Sequence, residues 1–188
     1  MNIQRHKKGD FGYPPHERTR VIIRTITYFL ISVAVFLLGY FSTGKKENLL
    51  TIVAVLGMLP SSKSLVAVVM YLKIPQFSEQ DYQEISPKTG DIPAIYSMYL
   101  TSYKLNFPIN CFVIRGNNLI GYTEFQVCDT AACEEHIKGI LKQNSIKNMT
   151  VKIFHDKTRF LERLEQLHAL EGGKKELEVL TILCDISL

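Results

Sequence analysis

The chain has 188 residues, of which 46% are apolar and 21% charged, with four Cys, no Trp and a formal net charge of +4. So high an apolar share excludes a disordered chain, 11 Gly and 7 Pro exclude a collagen-like or low-complexity one, and four Cys are too few for a small disulfide scaffold. A mean hydropathy of +0.05 is high for a soluble domain and low for a chain wholly in lipid, which points to two unlike halves.

Residues 1–20 form a basic N-terminal segment. Residues 25–44 then contain no charged side chain, and at about 1.5 Å per residue they span roughly 30 Å, the thickness of a bilayer's hydrocarbon core. A second apolar stretch, residues 49–72, is broken only by Lys63 and by Ser61, Ser62 and Ser64 behind Pro60. The pattern predicts a transmembrane helical hairpin over 21–72, with helices at about 21–41 and 49–72 and a short outer turn at 42–48. The first run is too long for a secretory signal, and no small-residue cleavage pattern follows it.

Orientation follows from Arg5, Lys7, Lys8, Arg18, Arg20 and Arg24, ahead of or at the start of the first helix, against Lys45 and Lys46 in the turn. Basic residues are retained on the cytoplasmic side, so both termini are expected there, in the cell membrane. Cys111, Cys128, Cys133 and Cys184 all follow the hairpin, where a reducing cytosol keeps them as thiols. In the reverse orientation they become two potential disulfides, and Asn148-Met149-Thr150 becomes a glycosylation sequon.

Residues 73–91 read as a connector with a short helix near 78–85, and residues 92–188 as a cytoplasmic α/β domain. Strand-like runs fall at 95–102, 109–115 and 119–127, the last two separated by the hairpin signal Gly116-Asn117-Asn118. Asp129 or Thr130 caps a helix that ends near Asn144; residues 149–154 form a strand; Asp156 caps a second helix stopped by Gly172-Gly173; residues 177–186 read as a buried strand. The expected fold is therefore a two-helix hairpin followed by a mixed-sheet α/β domain in the order β-β-β-α-β-α-β. Residues 1–72 carry 9 Lys and Arg against 3 acids, a balance of +6, and the remainder carries 13 against 15, a balance of −2. A mildly acidic domain without a basic stripe argues against nucleic acid as a ligand.

Lys63 lies ten residues before Lys73, near mid-bilayer if Lys73 marks the interface, and a charge there costs at least about 2.5 kcal/mol. With Ser61, Ser62 and Ser64 it defines a candidate intramembrane polar site. The structural account, which the residues favour, is that the ammonium snorkels or that the helix kinks at Pro60. The six N-terminal basic residues suit anionic headgroups, although setting topology is explanation enough for them. Cys128, Cys133 and His136 offer thiolate and imidazole ligands at C-x4-C-x2-H spacing, but no second pair completes a zinc site, and small buried thiols explain the same letters. His155 and Asp156 fall where a strand meets a helix, the edge at which open α/β sheets place ligands, although an N-cap accounts for Asp156.

Glu124-Phe125-Gln126 ends the third strand. The element order of residues 78–154 is similar to the core of restriction-endonuclease-like nucleases, some of which are membrane-anchored. That resemblance implies an Asp on the second strand and E-x-K on the third, where paired carboxylates hold the metal and the Lys supports the attacking water. Residues 109–115 hold no acid, and Gln126 stands at the Lys position. Phosphate-loop, nucleophile-elbow, zincin and dinucleotide fingerprints are absent from the sequence, and no cofactor is implied. The function expected is non-enzymatic anchoring and interaction, with the bilayer and another membrane protein or a second copy as partners. The alternatives are a transport or channel subunit using Lys63, and a membrane-anchored nuclease-like or metal-dependent enzyme centred on Glu124, His155 and the Cys-His run.

Overall fold

A computed structural model describes residues 7–45 and 48–188, which divide into two compact units. One is Pro14–Ile74, and the other combines Met1–Tyr13 with Pro75–Leu188. The fold is two long apolar helices followed by a small α/β domain with a four-stranded mixed sheet.

The helical unit holds α1 (Tyr13–Thr43) and α2 (Leu49–Leu72), both long and apolar enough to cross a membrane. Helix α1 starts ahead of its apolar run because Pro14 and Pro15 fit a first turn, where the missing N–H groups would have had no partner. Asn48 caps α2 by accepting from Thr51 N at 2.9 Å, and its amide donates to Thr43 Oγ1 and Lys45 O, which stitches the connection. Three contacts fix an antiparallel register. Thr25 Oγ1 lies 2.7 Å from Ser64 Oγ, a Cβ placed on Gly57 would lie 2.8 Å from Ser32 Oγ, and one placed on Gly39 would lie 2.7 Å from Leu50 Cβ. The α1 members recur every seven residues, so small side chains line the seam and let the backbones approach closely.

The outside of this pair is the reverse of a soluble protein. Ile23, Leu30, Leu38, Phe41, Val55 and Leu59 are exposed, and only 11% and 17% of the two apolar windows is buried, whereas a soluble core helix would be mostly buried. Hydroxyls in the apolar stretches bond back along their own helix, Thr27 to Ile23 O, Ser32 to Tyr28 O and Ser61 to Gly57 O, so they need no water. Thr25 gives its proton to Val21 O at 2.8 Å, which leaves Ser64 to donate across the seam.

In the other unit, α3 (Glu79–Thr89) precedes β1 (Ala94–Thr101), β2 (Asn106–Arg115) and β3 (Asn118–Tyr122), and α4 (Thr130–Gln143), β4 (Thr150–Phe154), α5 (Lys157–His168) and α6 (Glu176–Ile186) follow. The strands lie in the order β1-β2-β3-β4, antiparallel except for the parallel β3–β4 pair. One apolar cluster, including Ile109, Phe112, Ile137, Leu141 and Leu183, fills the face under α4 and α6; another, including Val113, Ile120, Phe160 and Leu164, fills the face under α5. Ile95 and Met98, and likewise Ile109 and Phe112, point into the same cluster, so the alternation of sides breaks in both strands around Ser97 and Asn110. Ser97 has φ +52, a left-handed backbone in mid-strand, and its buried hydroxyl has no partner among the described residues.

The seventh expected element is corrected: residues 177–186 form helix α6, not a strand. The buried positions Val179, Leu180 and Leu183, with Glu176 just before them, follow helical spacing, and the β1 edge of the sheet is already taken. Leu100 bridges Ser187 there, and Tyr96 N donates to Gly9 O at 2.7 Å. The third strand also stops at Tyr122 rather than reaching 127. Pro108 has no N–H to continue the ladder, and its carbonyl accepts from Thr123 Oγ1.

The N-terminal strap, residues 7–12, belongs to this unit. Gly9 packs so closely that a Cβ would lie 2.9 Å from Ile95 Cγ2. Phe11 stacks on Tyr82 with ring centres 4.3 Å apart, and the Lys8 ammonium donates to Ser187 O and Cys184 O, where the carbonyl end of α6 favours a cation. Between α5 and α6, the buried Glu176 carboxylate accepts from Gly116 N and Gly173 N and ties the β2–β3 turn to that loop.

Candidate functional site

The polar side chains of the α/β unit concentrate where β3 and β4 end, between the start of α3 and the start of α5. Glu124, just past β3, accepts from Ser78 N at 3.0 Å and from Asn110 Nδ2 at 2.6 Å, while its own N–H donates to Asn110 Oδ1. Ser78 is also the N-cap of α3, so the chain entering from α2 is fastened to the sheet by one carboxylate. A second knot lies alongside. Tyr122 OH donates to Asp81 Oδ2 at 3.0 Å, and Lys157 Nζ bonds Asp81 Oδ1 at 3.1 Å and Glu84 Oε2 at 2.6 Å.

Electrostatics follow from the packing. Burial, then the hydrogen bond to Asp81, pushes the Tyr122 phenol well above its usual range. The bond to Glu84, reinforced by Asp81, raises the Lys157 ammonium, and Lys157 in turn lowers the Glu84 carboxyl. The cavity beside these residues, lined in part by Asp81, Tyr82, Tyr96 and Asn110, measures about 10 Å3, room for one water. The bonds of this cluster therefore join chain segments to one another.

Asp81, Tyr122 and Lys157 were not singled out by sequence reasoning. The available signal was Lys157 at the first position of a helix, where the dipole disfavours a cation, so that it needs carboxylates from elsewhere in the fold. Asp156 accepts from Thr158 N and Arg159 N as the α5 N-cap and pairs with Arg159 at 3.6 Å. His155 sits at the adjoining strand end, half-buried, with no partner for Nδ1 among the described residues. Where the nuclease resemblance implies an acid on the second strand, the structure has the Asn110 amide bonded to Glu124.

The Cys-His run lies on the other face. Cys133 is fully buried and His136 rests against Phe107, with ring centres 5.7 Å apart. Burial raises both thiols, Cys128 to about 11, which disfavours the thiolate that zinc requires. Among the described residues no three His, Cys, Asp or Glu side chains converge to hold a metal ion.

On the helical unit, Ser61 and Ser64 turn into the seam, whereas Ser62 and Lys63 are exposed on its outer surface. Helix α2 is continuous through Pro60. Arg18, Arg20 and Arg24 are exposed on α1, with Arg20 paired to Glu17 at 3.2 Å; Lys7 and Lys8 lie in the strap, and Arg5 and Lys46 fall outside the described residues. Comparison with protein-family models, curated proteins and solved structures gives no match.

Proposed function

We propose that this protein is a two-span membrane anchor that holds its α/β domain at the cytoplasmic face of the cell membrane for binding to a partner. One observation carries the reading: both ends of the helical excursion, residues 14–74, return to the same compact unit. If its helices cross a bilayer, they cross it as a pair, and both termini lie on one side. The apolar exterior and small-residue seam of α1 and α2 support the crossing, because lipid offers no hydrophobic drive to bury Leu and Ile but rewards close backbone packing. Arg18, Arg20 and Arg24 at one end, joined by Lys73 after α2, support the cytoplasmic side. Interaction is favoured over catalysis because the carboxylates at the sheet end are occupied by hydrogen bonds within the fold.

The test is extraction from membranes of expressing cells. The chain is expected to stay in the pellet through alkaline carbonate and urea and to leave it only in detergent. Release by carbonate would refute the anchor.

A second reading rests on Lys63, whose ammonium has no carboxylate partner among the described residues and lies on the outer surface of the helix pair. In a bilayer such a charge snorkels or meets a polar group of another subunit, which favours assembly with a second membrane helix. Lys63→Leu would then weaken detergent-resistant association while leaving membrane insertion unchanged.

A further inference from the structure

A groove on the α/β unit combines an apolar floor with a basic rim. It measures about 310 Å3 and lies between the last turns of α4 and the start of β4. Its floor is the buried Leu141 and Ile146, its edge the half-buried Met149, and its rim Lys138, Lys142 and Lys147. The floor follows from how α4 ends. Ser145 takes φ +62, the left-handed conformation of a helix terminus, and Ile146 N donates back to Leu141 O at 2.8 Å, which lays Ile146 onto Leu141. Asn148, also left-handed at φ +60, turns the chain into β4 and leaves Met149 at the groove's edge.

The lysines are not structural in the way the neighbouring ones are. Lys152 pairs with Glu134 and Lys157 with Asp81 and Glu84, but the three rim ammonium groups have no carboxylate partner among the described residues. The helix dipole accounts for Lys142 in the last turn of α4, but not for Lys147 beyond it or for Lys138 a turn earlier. Three unneutralised cations around an apolar floor, on a domain whose balance is −2, are a local complement for negative charge flanking an apolar side chain.

We propose that this groove docks an acidic segment of a partner protein, with Asp or Glu on the lysine rim and one large apolar side chain against Met149, over the buried Leu141 and Ile146. The inference rests on the reading of this domain as a partner-binding module and names the partner's chemistry. The groove opens at the N-terminal ends of β3 and β4, and its apolar floor between the cations suits a side chain, which favours a protein over lipid headgroups. Strand addition alongside is disfavoured at Ile153, whose outward N–H on edge strand β4 already donates to Glu134.

The test is an unbiased selection from a displayed random-peptide library. The target is the full chain in zwitterionic nanodiscs, and the enriched peptides are then measured against the variant Lys138→Glu, Lys142→Glu, Lys147→Glu. Enriched peptides are expected to combine Asp or Glu with a large apolar residue and to shift the Met149 methyl resonance. They should bind the variant at least about tenfold more weakly and lose affinity as salt is raised. A Lys→Gln triple variant, with an unmoved Met98 methyl signal, separates lost charge from a lost fold. Enriched peptides without acidic residues, equal binding to the triple variants or an unmoved Met149 would overturn the proposal. So would anionic vesicles, an oligonucleotide or a second copy of the chain engaging the lysines while no acidic peptide does. Membrane extraction reads the anchor and peptide selection reads the groove, so either idea can fail alone.

Discussion

Asn110 decides what the end of the sheet can do. As an amide it donates to Glu124 and accepts from the same residue's N–H, a two-way bond that an acid cannot make while ionised. Asn110→Asp sets two carboxylates side by side. It should lower stability by about 1–3 kcal/mol at neutral pH, with the loss shrinking toward pH about 4 as the new acid, its pKa raised by its neighbour, takes up a proton and donates again. Melting temperatures of variant and parent between those pH values check this, and a pH-independent difference would contradict it. Buried and half-buried phenols give an alkaline counterpart. Tyr96, Tyr99 and Tyr122 are all raised above the ordinary value of 10.0, mainly by burial. A group whose folded pKa is raised contributes stability that is complete below its unfolded pKa and is lost as pH climbs past it. Stability should therefore hold up to about pH 10 and fall above it, with the phenolate absorbance of these three of the nine tyrosines appearing only as circular dichroism is lost. Ionisation of all nine in the folded protein would contradict the packing. Most of this scale was hidden in the sequence: Asp156 as a cap was legible because capping is local, whereas Asp81, Tyr122 and Lys157 meet only through tertiary contact.

Among the elements, local rules worked where composition and periodicity agreed. Both long helices, the β2–β3 hairpin at Gly116, and the helices capped by Asp129 and Asp156 follow from such agreement. Residues 177–186 failed because Val, Ile and Leu suggested a strand while the 3-and-4 spacing of Val179, Leu180 and Leu183 specified a helix, and burial obeyed the spacing. The seam between α1 and α2 was legible only in part. Ser61 and Ser64 stood out as polar residues in an apolar run, but their pairing with α1 depends on register. That register makes a direct prediction. In a background lacking the native thiols, Thr25→Cys with Ser64→Cys should crosslink under mild oxidation, since the native oxygens lie 2.7 Å apart. Thr25→Cys with Lys63→Cys should not, because Lys63 faces outward. Crosslinking of the second pair in preference to the first would overturn the helix pairing.

At the scale of the whole molecule, the sequence signalled two unlike halves through its mean hydropathy and its charge partition, +6 followed by −2. It did not signal that the first described residues belong with the last. Gly9, Lys8 and Phe11 dock on β1, α6 and α3, so the strap makes the α/β unit discontinuous in sequence. Under the proposed anchor the consequence is topological: a chain that leaves this unit at Pro14 and rejoins it after Ile74 crosses the bilayer twice. The most direct measurement uses single cysteines at Lys7, Lys45 and Lys174, all exposed, in an otherwise cysteine-free chain, labelled with a membrane-impermeant thiol reagent in sealed vesicles of each orientation. Lys7→Cys and Lys174→Cys are expected to label from the cytoplasmic side and Lys45→Cys from the opposite side. Labelling of all three from one side, or of Lys7→Cys and Lys174→Cys from opposite sides, would contradict the two-span anchor.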